Sequence, residues 1–252
     1  MSQGLRAAIV FLLFCMCAPL YSSPVIQRPE NQSSREIDFC GFTWRVKSSI
    51  VPVAPGPNIY RGTEDAVFVS ERGLHLTIGR DQDHWYATEI FTRKRVGYGT
   101  YTFTVETDAL NYDPSVVAGF FTWDSEPVEF NREIDIEFAS WGSHDGIRFQ
   151  YVVQPYSIPE RITVFDPKLQ GSVSTHRIIW LADSVEFLSY HGVVDPDDPE
   201  ADTMLMNQWK FIGDVPSEGR TRFRINLWLF QGKEPAKQTE MILRSFKFDP
   251  LR

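Results

Sequence analysis

The sequence predicts an all-β chain folded as an antiparallel two-sheet sandwich of jelly-roll type, on three observations. Apolar residues recur with a period of two, turn signals recur at short intervals, and no segment carries a sustained i, i+3, i+4, i+7 stripe. Thr100 to Glu106 sets Tyr101, Phe103 and Val105 on one face, and Arg148 to Gln154 does the same with Phe149, Tyr151 and Val153. Arg222 to Phe230 continues the pattern with Phe223, Ile225, Leu227 and Leu229. Between such runs stand Pro55-Gly56-Pro57-Asn58, Arg72-Gly73, His191-Gly192 and Glu218-Gly219, which suit antiparallel hairpins. Ala201 to Phe211 has room for a short helix, and no internal repeat interrupts the texture. It is uniform enough to place residues 37–252 in one domain.

The first 36 residues read differently. Met1 to Arg6 carries one positive charge, Ala7 to Ala18 is an unbroken run of 12 apolar residues, and Pro19 to Ser23 ends in small polar side chains. Residues 1–23 therefore read as a secretory signal peptide, since a membrane span needs about 20 apolar residues. Residues 24–36 are polar, contain proline and lack periodicity, as a flexible linker does. Asn31-Gln32-Ser33 is a glycosylation acceptor if the host modifies exported proteins. The mature chain is expected to be secreted or periplasmic, with no stable membrane span. Cleavage removes Cys15 and Cys17 and leaves Cys40, expected as a buried apolar residue with no disulfide.

Composition narrows the partners. With 25 basic against 33 acidic residues the net charge is −8, and no basic block offers the electrostatic footprint of a nucleic-acid binder. A chain that is 42% hydrophobic has enough apolar material for one large core, and a monomer is expected. The five histidines show no metal-ligand spacing, and Asp195 to Asp202 reads as a solvated acidic loop, so neither metal nor cofactor is predicted.

The second faces of several strands carry rings beside polar groups. Trp228 and Phe230 share a face with Asn226 and Arg224, and Phe121 shares one with Trp123. Two readings are open: a second hydrophobic layer, or a surface that stacks sugar rings and hydrogen-bonds their hydroxyls. Arg148, Arg222 and Arg224 either balance nearby acids or favour an anionic glycan.

The segment Asn131 to Gly142 (NREIDIEFASWG) bears on that choice. Alternation puts Glu133, Asp135 and Glu137 on one face and Ile134, Ile136 and Phe138 on the other. Neighbouring acids about 6 to 7 Å apart repel by roughly 0.6 to 0.7 kcal/mol even in water. The pattern also occurs on ordinary exposed strands, but retaining glycoside hydrolysis requires paired carboxyls about 5 to 5.5 Å apart. A third acid between them would hydrogen-bond the nucleophile, and crowding would raise the pKa of the group that must stay protonated.

In these residues and their surroundings the chain resembles glycoside hydrolase family 16, the bacterial lichenases, laminarinases and relatives. Glu133-Ile134-Asp135-Ile136-Glu137 resembles the family signature Glu-x-Asp-x-Glu. Glu89 with Gly97-Tyr98-Gly99-Thr100-Tyr101, Gly119-Phe120-Phe121-Thr122-Trp123, His176 to Trp180 with Val185 to Gly192, Asn226-Leu227-Trp228 and Arg244 to Phe248 resemble segments around it. The resemblance implies a concanavalin A-like sandwich with a concave substrate cleft and a retaining mechanism on β-linked polysaccharide. It assigns Glu133 as nucleophile, Asp135 as assisting acid and Glu137 as general acid/base, with Glu89, Trp123, Asn226 and Trp228 lining sugar subsites. Asn131 and Arg132 depart from the lichenase pattern and alter a subsite wall, and Arg244 stands where some members carry a calcium-binding Asp. The resulting expectation is a secreted endo-β-glycanase acting on β-1,3 and/or β-1,4 glucan, with transglycosylation or carbohydrate binding without chemistry as alternatives.

Overall fold

The computed structural model describes residues 35–251. The expected signal peptide, residues 24–34 of the expected linker, Cys15, Cys17 and the Asn31 acceptor lie outside the described residues. In chain order the strands are β1 (Glu36–Phe39), β2 (Phe42–Val46), β3 (Val67–Ser70), β4 (Gly73–Asp81), β5 (His84–Tyr86), β6 (Thr88–Thr92), β7 (Gly99–Thr107) and β8 (Val116–Trp123). They continue with β9 (Ile134–Ala139), β10 (Arg148–Val153), β11 (Ile162–Phe165), β12 (Val173–Trp180), β13 (Ser184–His191), β14 (Leu205–Ile212), β15 (Arg222–Leu229) and β16 (Thr239–Pro250).

Two sheets result, as the period-two pattern predicts. The first runs β1-β2-β6-β15-β8-β9-β10-β11; the second runs β14-β13-β12-β7-β16-β4-β3, with β5 hydrogen-bonded to β4. Paired strands within them are antiparallel. Strand β15, late in the chain, inserts between β6 and β8, so the jelly-roll crossover brings residues 88–92, 116–123, 134–139 and 222–229 side by side.

One face of the first sheet meets the second sheet in a core of rings. Phe138 and Phe149 stack at 3.7 Å, Phe103 and Phe120 at 4.8 Å, and Tyr151 and Phe187 at 4.9 Å. His176 lies fully buried among Phe103, Phe120, Phe138 and Phe149. Its ring nitrogens are satisfied by Ser189 Oγ at 2.7 Å and Ser174 Oγ at 2.8 Å. Burial among hydrocarbons penalises the imidazolium and drives its pKa down to about 3.

Two expectations are corrected. Cys40 is exposed, because Cys40 and Gly41 are the two central residues of the β1–β2 hairpin, both with positive φ (52° and 75°). A two-residue turn of that hand matches the strand twist and carries its first side chain out to solvent. Only Ala201–Met204 of the expected helix is helical, as a 3-10 turn, because from Leu205 the chain pairs with β13. Along β14, Trp209 and Phe211 lie two apart and turn to one face, so the period-two signal wins. In the Asp195 to Asp202 loop, Asp197 pairs with Arg177 at 2.8 Å, while Asp195 and Asp198 each accept a backbone N–H two residues on.

Replacement of His176 tests the core. His176→Leu leaves both serines without the ring and is expected to cost about 2 to 4 kcal/mol in urea unfolding at pH 7. Folded His176 stays neutral down to about 3, whereas the unfolded side chain titrates near 6.5. Its contribution is therefore complete above pH 6.5 and lost as pH falls toward 3. The variant should show a shallower acid loss, by up to about 1.4 kcal/mol per pH unit; an unchanged slope would contradict the assignment.

Candidate active site

The outer face of the first sheet carries the acids. Glu133 ends the 3-10 segment Pro127–Arg132 in an extended conformation, and its carbonyl accepts the Gln154 N–H at 3.1 Å. Alternation then buries Ile134, Ile136 and Phe138 in the core and turns Glu133, Asp135 and Glu137 outward. Across from Asp135 stand Phe121 of β8 and Val152 of β10; across from Glu137 stand Gly119 and Gln150. Asp135 is only 2% exposed, and Gln154 Nε2 donates to its Oδ2 at 3.0 Å. Gln150 Nε2 donates to Glu137 Oε2 at 2.6 Å, and Trp141 Nε1 donates to Gln150 Oε1 at 3.1 Å.

Burial dominates the electrostatics of this strip. It pushes Glu133 and Glu137 each to about 7 and Asp135 well above the carboxylate range. The charges of Glu133 and Glu137 raise Asp135 further. A hydrogen bond joins Asp135 to Glu133, lowering Glu133 and raising Asp135, so the proton of the pair rests on Asp135. Gln150 partly offsets the burial of Glu137 by donating to its ionised form.

Beyond β8 lies a second charged cluster. Glu89 of β6 is 1% exposed, with Lys47 Nζ at 2.9 Å and Arg224 Nη1 at 2.7 Å. Burial alone would raise Glu89, but the two cations outweigh it and hold the group ionised. The Arg224 guanidinium stacks 4.5 Å from the Trp123 ring and 4.8 Å from the Phe91 ring, and its charge also steadies Glu133. Lys47 sits 3.7 Å over the Tyr60 ring. Arg222 reaches the carbonyls of Thr92 and Arg93, while Arg148 donates to the Ile147 carbonyl at 2.9 Å.

Asn226 and Trp228 of β15 complete the face. Asn226 is 2% exposed and its Oδ1 has no hydrogen-bond partner among the described residues. The carbonyl oxygen lies over Gly119, where an added Cβ would come within 2.6 Å of it and push the Asn226 amide aside. Trp228 is 9% exposed and packs with Tyr60, Val117, Ala139, Trp141 and Phe230. The outer face thus carries a second apolar layer at one end, with acids and amides beside it. Loop 53–58 is clipped onto that end, where Asn58 donates to the Leu229 carbonyl at 2.9 Å and accepts its N–H at 3.1 Å.

The approach to Glu133 is strained. Phe130, Asn131 and Arg132 have φ of 48°, 60° and 52°, a run of left-handed residues without glycine. Such residues cost about 1 to 2 kcal/mol each, so something must hold them. Arg132 does: its Nη1 meets Asp124 Oδ2 at 2.6 Å and its Nε meets Ser217 Oγ at 3.2 Å. The departure at Arg132 thus anchors the segment that delivers Glu133.

All seven residues singled out from the sequence lie on this outer face or at its rim. Missing from that set were Lys47, Gln150, Gln154, Trp141 and the Arg132–Asp124 pair. Gln150 and Gln154 were visible as the polar half of the alternation in RFQYVVQ, but only the β9–β10 pairing puts them beside the acids.

No protein-family model and no curated protein sequence matches the chain. Solved structures do share its fold. A Bacillus licheniformis beta-glucanase superposes with a TM-score of 0.60 at 14% identity, over 88% of this chain and 100% of that one. A prokaryotic beta-1,3-1,4-glucanase (lichenase) from a mouse hindgut metagenome gives 0.58 at 16%, over 82% and 93%. A Mycobacterium tuberculosis protein described as an immunostimulatory antigen and pseudo beta-1,3-glucanase gives 0.59 at 15%, over 83% and 91%. A family 16 glycosyl hydrolase protein from Mycobacterium smegmatis gives 0.55 at 16%, over 80% and 89%. The chain shares the two-sheet jelly-roll sandwich of the family 16 glycoside hydrolases and beta-glucanases.

Proposed function

We propose that the chain is an exported, retaining endo-β-glycanase that hydrolyses β-linked glucans at β-1,3 and/or β-1,4 linkages by double displacement. The observation that carries this reading is the acidic strip itself, with buried Asp135 held by Gln154 between half-buried Glu133 and Glu137, the latter held by Gln150; burial keeps a proton on Asp135 and raises Glu137 to about 7. Ionised Glu133 attacks the anomeric carbon, and protonated Glu137 gives its proton to the departing glycosidic oxygen. The resulting glycosyl ester on Glu133 is cleaved by water, whose proton returns to Glu137. Neutral Asp135 donates to Glu133 and releases it as the carboxylate leaves. Trp123 offers its partly exposed ring to a sugar, with Asn226 and Trp228 beside it on the same face. Glu89 acts through the two cations it holds, since both its oxygens are already engaged. The apolar run of residues 7–18 supports export.

The reading is tested by reducing-end release from barley β-glucan, lichenan, laminarin, xyloglucan and agarose. Glu133→Gln should lower turnover by roughly 10³-fold or more with the fold intact. Comparable activity in that variant would refute the nucleophile. Glu137→Gln should lower kcat by about 10²- to 10⁴-fold.

A pH dependence follows as well. Activity needs Glu133 ionised and Glu137 protonated, and burial raises both to about 7, so kcat/KM should be bell-shaped around neutrality. Glu137→Gln should lose the basic limb. Stability runs in one direction: a carboxyl raised by folding contributes below its unfolded value of 4.5, and that contribution is lost as pH rises through about 7. Glu133→Gln should therefore melt higher than the parent protein at pH 8, with little difference at pH 4.

A further inference from the structure

We propose that Trp141 is a positioning residue for Glu137, acting through Gln150 by fixing which end of the amide faces the acid. This inference rests on the catalytic role proposed for Glu137. An indole N–H only donates, so the Gln150 atom 3.1 Å from Trp141 Nε1 is the oxygen. That leaves the amide nitrogen, 2.6 Å from Glu137 Oε2, as an obligatory donor to the carboxyl. Gln150 is 8% exposed, so rotation of the amide would set its NH2 against the Trp141 N–H, two donors facing each other with no acceptor between them.

The position of Trp141 is unusual for its residue type. It has φ of 51° and is followed by Gly142 at 79°, and Ser143 N–H closes the turn on the Ser140 carbonyl at 2.8 Å. A bulky side chain in the left-handed region is rare, and such strain persists only where the surroundings hold it. Here they do: the ring packs edge-on against Phe230 at 5.3 Å and Trp228 at 6.1 Å. One turn at the end of β9 therefore ties the aromatic wall to the acid two residues before that end.

The consequence is electrostatic. A locked donor favours ionised Glu137 and denies the protonated form an acceptor on that oxygen, so the proton is confined to Oε1. The charge facing Glu137 from its own segment is that of Glu133, while Asp135 between them carries a proton. Strand β8 presents Gly119 and Phe121 there, and β10 presents Gln150 and Val152, with Arg148 at the strand end opposite Ala139. Gln150 is thus the group that opposes burial at Glu137.

The test is a ¹³C NMR titration of the full chain labelled at the glutamate carboxyls, with Glu137→Gln assigning the signal. Trp141→Phe keeps a ring and frees the amide to turn, and is expected to raise the Glu137 midpoint by roughly one unit. In a Gln150→Ala background the same substitution should move nothing further. Gln150→Glu, which keeps an acceptor for Trp141 but removes the donor to Glu137, should raise the midpoint more. An unchanged midpoint in folded Trp141→Phe, or an equal shift without Gln150, would overturn the inference. Because the titration needs no turnover, inactivity toward every glucan would count against the proposed reaction and leave this inference to be decided by the midpoint. Where turnover is seen, the basic limb should move with the midpoint while KM stays within about twofold.

Discussion

Three carboxylates on alternate residues of one strand repel one another, and their burial beside Phe121, Val152 and Gln150 removes the water that would screen them. The rest of the outer face is arranged around that repulsion. Asp135, the most buried of the three, keeps its proton and turns a like-charge contact into a hydrogen bond. Arg224 supplies a positive charge toward Glu133 while its guanidinium is held at 2.7 Å by Glu89, which also pairs with Lys47. Gln154 and Gln150 donate to Asp135 and Glu137. A buried charge without such partners would neutralise or unfold its surroundings; here the residual imbalance leaves two carboxyls titrating close to neutrality.

The scaffold makes that imbalance affordable. Ile134, Ile136 and Phe138 alternate with the acids and are fully buried between the sheets, so sliding β9 by one residue would exchange acids for core side chains. Phe138 stacks on Phe149 of β10, and that same strand brings Gln150 to Glu137. Register and site are therefore set by the same packing. The left-handed residues 130–132 add a second restraint on Glu133, secured by Arg132 on Asp124.

Much of this was legible in the sequence for a definite reason. A period of two states both that a strand exists and which residues share a face, so the sandwich and the acidic strip could be read from NREIDIEFA without knowing any strand's neighbour. What could not be read depends on pairing or on turns. Gln150 and Lys47 gain their roles from residues 13 and 42 positions away in sequence. Cys40 was misplaced because a two-residue hairpin turn reverses the inside-outside expectation for a small apolar side chain. Trp228 read equally as sugar platform or second core, and what decides its burial is long-range packing with Tyr60 and Phe230 that the sequence pattern does not display.

In the proposed reaction the strip works as nucleophile, assistant and acid, and Glu133 becomes covalently bonded to sugar. Its most direct test is intact-mass and peptide analysis after incubation with a 2-deoxy-2-fluoro-β-glucosyl oligosaccharide bearing a good leaving group, which slows hydrolysis of the intermediate. One added fluoroglycosyl group per chain is expected, on the peptide containing Glu133 and absent from Glu133→Gln. Hydrolysis of natural glucan with no adduct, or an adduct on Glu137 or elsewhere, would contradict it.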